Sequence, residues 1–173
     1  QRPRQRRPAR ETREVTTMWV MLALQDSNLS PDTIALALDR GYSWLGDETA
    51  GISTEWWAVR TMLEQRLGHL KKAAHALAKL RECQNGDGGW GWLRDGESDA
   101  LGTGIALYAL AREGISKDNP SVQMALQFLH ETQEDDGSWA VPGTKEGDEE
   151  EIKSTAVFWG TCWAVIGAFE YAK

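Results

Sequence analysis

The chain has 173 residues, a hydrophobic fraction of 41% and a formal net charge of −7. That balance fits one folded domain, or part of a larger protein, and excludes a disordered or fibrous chain. No uninterrupted apolar run approaches the roughly 20 residues of a membrane-spanning helix, and the longest candidate, Ser154–Phe169, reads as a buried helix dotted with Gly and Thr.

Residues 1–13 hold six Arg, one Glu and two prolines without apolar periodicity. They read as a basic linker or tail rather than a nucleic-acid site, which leaves 14–173 as the folded domain. From there on apolar residues recur at helical spacing, and no segment alternates like a strand. Helices are expected near 12–26, 31–46, 54–67, 69–84, 99–113, 120–133 and 155–171. Ser30-Pro31 and Asn119-Pro120 are cap-plus-proline starts, where the missing N–H of proline costs nothing. Ser53, Ser98 and Ser154 each precede an apolar run and are candidate caps. Cys83 and Cys162 have no metal-ligand spacing and read as two free, buried thiols.

The expected helices fall into two alternating types. In the even-numbered ones "RGYSWL", "HALAKL" and "MALQFL" place Gly41, Ala76 and Ala125 four residues before a Leu. A small residue lets a neighbouring helix approach, and the Leu shares its face. Four places further on stand Thr49, Gln84 and Gln133. The odd-numbered helices share a threonine followed two places later by a large apolar residue: Thr17 and Trp19, Thr54 and Trp56, Thr103 and Ile105, Thr161 and Trp163. Between the types lie two similar loops, "QNGDGGW" (84–90) and "QEDDGSW" (133–139), 49 positions apart. Each Gln ends a helix whose last carbonyls lack partners. Its amide can bond the following loop, the glycines permit left-handed turns, and the Trp can fold back over the helix end, burying on the order of 200 Å². The loops are expected to be rigid clasps. A calcium loop is excluded because the alternating oxygen ligands and closing Glu are missing.

These residues resemble the QW repeats of the squalene cyclase and protein prenyltransferase superfamily. "MALQFLHETQEDDGSW" lacks only the basic residue of that pattern, "HALAKLRECQNGDGGW" lacks the basic residue and the aromatic, and "RGYSWL" keeps the first half. The resemblance covers about residues 12–171, and "GISTEWWAVR" and "SDALGTGIALYAL" look most like repeats of often-exported bacterial proteins. It implies an all-α architecture, an α/α toroid, in which odd-numbered helices line a cavity and even-numbered helices surround them. Seven helices make a partial ring. Its open edges would expose apolar surface, so an oligomer, a longer chain or a complex is expected to cover them. The likeness to exported proteins and the absence of an initiator Met tilt the expected location away from the cytoplasm, to the exported, periplasmic or membrane-peripheral side.

Squalene–hopene-type cyclases, similar to this chain, protonate an alkene with an Asp-x-Asp-Asp motif that is absent here. Asp99, at the start of a helix, and Glu55, beside two tryptophans, are the catalytic candidates. Asp99 reads first as a cap. Glu55 reads first as a solvated carboxylate paired with Arg60; buried, it would become a proton donor. No cofactor is implied. Zinc, held by prenyltransferases through Asp, Cys and His, is not expected, because His69, His75 and His130 fall on outer helices. Trp19, Trp56, Trp57, Tyr108, Phe158, Trp159 and Trp163 fall on inner helices. They are either core or the wall of a site for an apolar molecule. The acidic stretch 134–153 reads as a solvated rim loop. Three functions follow: a cyclase-like domain, not catalytic by itself, that binds an apolar isoprenoid-like ligand or a protein; a fragment of an isoprenoid cyclase using carbocation chemistry; or a scaffold subunit.

Overall fold

The structure, a computed structural model, describes residues 5–46, 51–145, 147 and 151–173. Among the described residues seven helices follow one another: α1 (Ala9–Gln25), α2 (Pro31–Leu45), α3 (Thr54–Arg66), α4 (Leu70–Glu82), α5 (Ala100–Arg112), α6 (Pro120–Glu131) and α7 (Ser154–Phe169). Among the described residues there are no strands, only isolated bridges. The chain is all-α, and its helices form a partial α/α toroid. α1, α3, α5 and α7 stand side by side, while α2, α4 and α6 pack behind α1, α3 and α5. Each odd-numbered helix is separated from the next by one reversing helix, so all four point the same way. Glu11 at the head of α1 holds the head of α3, and Arg66 at the tail of α3 binds Asp26 just past α1 at 2.6 Å.

Local chemistry sets the starts. Ser30 Oγ accepts the Thr33 N–H, with Pro31 in the first turn, and Asn119 caps before Pro120. Ser53 Oγ accepts the Trp56 N–H. The other two candidate caps are corrected. α5 is capped by Asp99, because Ser98 Oγ is already engaged with Asp87 and Asn85. Ser154 lies inside α7, whose cap position is Lys153.

The basic head is also corrected. Residues 9–13 are the first turns of α1, and Glu11 is 4% exposed. Its carboxylate accepts the Ile52 N–H at 3.1 Å, the Ser53 N–H at 3.0 Å and the Ser53 hydroxyl at 2.5 Å. Gln5 bridges to Lys145, and the Arg6 N–H donates to the Thr144 carbonyl at 3.2 Å. Charge density suggested a solvated tail, but the partners of these charges come from distant parts of the chain. Residues 1–4, Thr49, and 146 and 148–150 of the acidic loop lie outside the described residues.

Two features hold the arc. α5 and α7 meet on glycine: a Cβ on Gly104 would overlap the Trp163 carbonyl, and one on Gly167 the Gly104 carbonyl. Behind α3, Arg60 and Glu64 form a buried ion pair at 2.6 Å. Tyr42 Oη donates to Glu64 at 3.0 Å, and His69 Nδ1 lies 2.7 Å from it. This pin ties α2 and the start of α4 to α3. Arg60 therefore pairs with Glu64, one turn along its own face, and not with Glu55, five residues away on another face.

The two loops are clasps with the same bonds. Gln84 Nε2 donates to the Gly88 carbonyl at 2.8 Å, and Gln133 Nε2 to the Gly137 carbonyl at 3.0 Å. Gly88 and Gly137 have φ of 90° and 84°, which glycine adopts without strain. Asp87 accepts the Gly89 N–H, and Asp136 the Ser138 N–H. The indole N–H reaches past the Gln: Trp90 donates to Leu80 at 2.7 Å, and Trp139 to Leu129 at 2.8 Å. The shared threonines meet the same loops, Thr103 Oγ1 accepting the Trp90 N–H and Thr161 Oγ1 the Trp139 N–H. Trp90 is fully buried and Trp139 is 7% exposed.

Candidate functional site

The heads of the inner helices and the clasps lie at one rim, and a pocket of about 720 Å³ opens there. Its apolar wall is Trp92, Leu101, Ile105, Ala156, Trp159 and Trp163. The volume falls in the range of small-molecule sites. The polar side comes from both ends of the chain: Gln5, Arg7 and Thr12 from the N-terminal strap and α1, Gly143, Thr144, Lys145 and Lys153 from the loop into α7, and Thr155 from its first turn. Glu55, at the head of α3, is the acidic residue of the wall among the described residues.

Glu55 is not solvated, and its partner is Arg7. Arg7 Nη1 donates to it at 2.6 Å and Trp19 Nε1 at 3.0 Å. Arg7 also donates to Thr12 Oγ1 and lies over the Trp92 ring, 5.7 Å from its centroid. Glu55 is thus engaged by a guanidinium and an indole N–H rather than left without a partner in the apolar wall. Asp99 is a cap: its carboxylate accepts the Gly102 and Trp92 N–H groups, each at 2.7 Å. Burial pushes its pKa up to about 6, against the pull of these two donors. It lies behind the pocket wall, tying the strand-like run after Trp90 to α5.

The aromatic candidates divide. Trp159 and Trp163 line the pocket. Trp19 packs against Trp163 with the rings tilted by 32° and centroids 5.7 Å apart, and Tyr108 meets Trp163 edge-on at 5.9 Å. This trio fills the middle of the arc and separates the pocket from a second recess of about 270 Å³ at the helix tails, lined by Trp19 and Tyr108 together with Asp26, Arg66, Arg112 and Glu113. Phe158 lies on the exposed side of α7, 60% accessible. Trp56 and Trp57 do not reach the pocket. Following Glu55 at about 100° per residue, they turn away from it into the core. Trp56 Nε1 donates to Glu14 and Trp57 Nε1 to the Gly51 carbonyl, and both rings are at most 3% exposed.

Sequence reading missed Trp92, Arg7, Lys145 and Lys153. Trp92 had a signal, because "GWGW" alternates and buries Trp90 on one side while turning Trp92 to the other. Arg7 and the lysines had none, since they meet only through the fold. Cys83 and Cys162 are free and half-buried, and burial pushes the Cys83 thiol up. Among the described residues no three His, Cys, Asp or Glu side chains gather as metal ligands, and His69 is bound to Glu64. No helix of the described residues is long and apolar enough to cross a membrane.

Two comparisons with known proteins bear on this geometry. The drimenyl diphosphate synthase of Streptomyces showdoensis is 40% identical over 76 residues, 44% of this chain. The matched stretch spans 14% of that relative's length. The squalene-hopene cyclase C-terminal domain matches residues 49–172, more than half of the chain and every helix from α3 to α7. With seven alternating helices, a partial toroid and this match, the chain belongs to the squalene-hopene cyclase C-terminal domain family.

Proposed function

We propose that the chain is a cyclase-like repeat domain that holds an apolar, isoprenoid-like chain in the rim pocket and performs no chemistry by itself. The observation that carries this reading is the wall of Trp92, Trp159, Trp163, Leu101 and Ile105 around an open 720 Å³ pocket. Such a wall binds by apolar burial, at about 25 cal/mol per Å², and needs no specific polar partner along the chain. The absent catalytic role rests on the two candidate acids: Glu55 is held by Arg7 and Trp19, and Asp99 by two backbone N–H groups. The Trp19→Ala, Trp163→Ala double variant should lose binding of a neutral isoprenoid alcohol while keeping its helical circular dichroism. Unchanged binding would refute the reading.

A second reading is favoured by the drimenyl diphosphate synthase relative: a piece of a terpenoid cyclase whose acid is supplied outside this sequence. Its aromatic trio of Trp19, Tyr108 and Trp163 would then face a carbocation. Turnover of an isoprenoid by the whole protein, lost on removal of that acid, would support it. Either reading includes a protein neighbour, because Phe158, Val165, Ile166 and Phe169 leave the outer side of α7 apolar and exposed.

A further inference from the structure

We infer that α7 is the contact of a symmetric dimer, in which its outward stripe of Phe158, Cys162, Val165 and Phe169 lies antiparallel against the same stripe of a second copy. The second copy is the protein neighbour that both readings include, and the contact does not depend on what the pocket holds. α7 carries two stripes on opposite sides. Gly160, Ala164 and Gly167 are buried on the side of α5. Phe158, Val165 and Phe169, on the other side, are each more than half exposed, and Cys162 between them is half-buried. The outer stripe steps by four, three and four residues, the spacing of a seam between paired helices. Among the described residues α1, α3 and α5 each have an even-numbered helix behind them, and α7 has none.

Symmetry, charge and area point to a second copy as the occupant. The spacing reads the same in both directions. A copy turned end over end therefore sets Phe158 on Phe169 and Cys162 on Val165, twice over, about a twofold axis between Trp163 and Ala164. Such a contact closes on itself. No residue from Ser154 to Phe169 is charged, so like faces meet without repulsion. The charged residues at the two ends of the helix are engaged within their own chain, Lys153 with Glu151 at 2.5 Å and Lys173 with Glu170 at 2.8 Å. Lys173 also lies over the Phe169 ring, 5.3 Å from its centroid, and leaves that ring 60% accessible. The acidic residues at 146 and 148–150, outside the described residues, precede the helix in the chain and are not part of the stripe. Phe158, Trp159, Val165, Ile166 and Phe169 together offer on the order of 500 Å² per copy, or about 1,000 Å² across the pair, which reaches the lower bound of a specific interface. The opposite edge of the arc is a poorer match. Its exposed apolar residues Val20, Leu29, Leu36 and Trp44 stand among Asp32, Asp39 and Arg40, charges that an apolar stripe would strip of water without supplying a partner.

The test is sedimentation equilibrium of the full chain across the micromolar range, together with chemical cross-linking. The chain should pass from monomer to dimer as its concentration rises, and stop there. Val165→Lys, which places two lysines beside the twofold axis, should weaken the dimer about a hundredfold or more. Leu36→Lys, at the opposite edge, should leave it unchanged. In a Cys83→Ser background a short bismaleimide should join two chains through Cys162, whose two copies stand about 4.5 Å apart along the helix axis. Circular dichroism verifies that each variant is folded, and should Val165→Lys unfold, the cross-link decides, its absence overturning the pairing. A monomer at every concentration overturns the dimer. A dimer dissolved by Leu36→Lys and not by Val165→Lys, or oligomers that grow beyond two, assigns the contact to the opposite edge and overturns the pairing as well. Each of these outcomes leaves the pocket reading standing, since that reading is decided by ligand binding.

Discussion

The two clasps share their hydrogen bonds and differ in what surrounds them. In the first, Gln84 also donates to the Ser121 carbonyl at 2.9 Å and accepts the Ser121 hydroxyl at 2.5 Å, which ties the loop to the head of α6. In the second, Gln133 is exposed and its amide donates within its own loop, to Gly137. Thr103 follows Trp90 by 13 residues, and Thr161 follows Trp139 by 22. The extra length carries Gly143, Thr144, Lys145 and Lys153, the polar side of the pocket. Two residues past each clasp Trp stand Trp92, in the pocket wall, and Val141, 1% exposed in the core. The repeated parts hold the arc together, and the site is assembled from the places where the repeat is broken.

The largest expected difference between the clasps is in their indoles. Trp90→Ala removes a fully buried ring and its bond to Leu80, and should destabilise the chain by about 4–5 kcal/mol in urea denaturation. Trp139→Ala, at the more open clasp, should cost about 3 kcal/mol. A larger loss at Trp139 would reverse the ranking. A pH series sharpens the contrast. Burial holds Asp99, beside the first clasp, at about 6, above its ordinary 3.8. Between these pH values the folded chain keeps a proton that the unfolded chain has shed. Stability present near pH 4 is therefore lost as pH rises toward 6, by about 2–3 kcal/mol at 1.36 kcal/mol per pH unit. Asp99→Asn should flatten that slope, and a slope that survives the substitution would assign it to another group. Asp136, in the second clasp, is lowered by its bonds to Ser138, so acid weakens that clasp instead. The smallest effect concerns the amides. Gln84→Ala should cost about 1–2 kcal/mol and Gln133→Ala about 0.3 kcal/mol, since the first has partners on α6 and the second does not. Equal losses in thermal melts would mean that the Ser121 contacts contribute nothing.

Most of the fold was legible in the sequence because it is built on local signals. Helix period, the Ser30-Pro31 and Asn119-Pro120 starts and the Gly-rich turns before Trp90 and Trp139 all act over a few residues. The start of α1 at Ala9 rather than near residue 12 was hidden by charge: Glu11 is buried only because Ile52 and Ser53 offer it three donors. The site was less legible for the same reason. Trp159 and Trp163, read as inner-helix residues, line the pocket. Trp56 and Trp57 occupy the same kind of helix but face the core, and helical period alone does not orient a helix that is apolar nearly all round. Glu55 stands out in the sequence as an ionisable residue beside two tryptophans, yet its partner Arg7 is 48 residues away. The cations of the pocket lie in a strap and a loop with no period to read.

The most direct measurement is a crystal structure of the chain grown with a bromine-labelled neutral isoprenoid alcohol. Bromine density is expected at the rim, between Trp92, Trp159 and Trp163 and beside the Gly143–Lys145 turn. Density confined to the exposed outer side of α7, around Phe158, Val165 and Phe169, would contradict the assignment of the site.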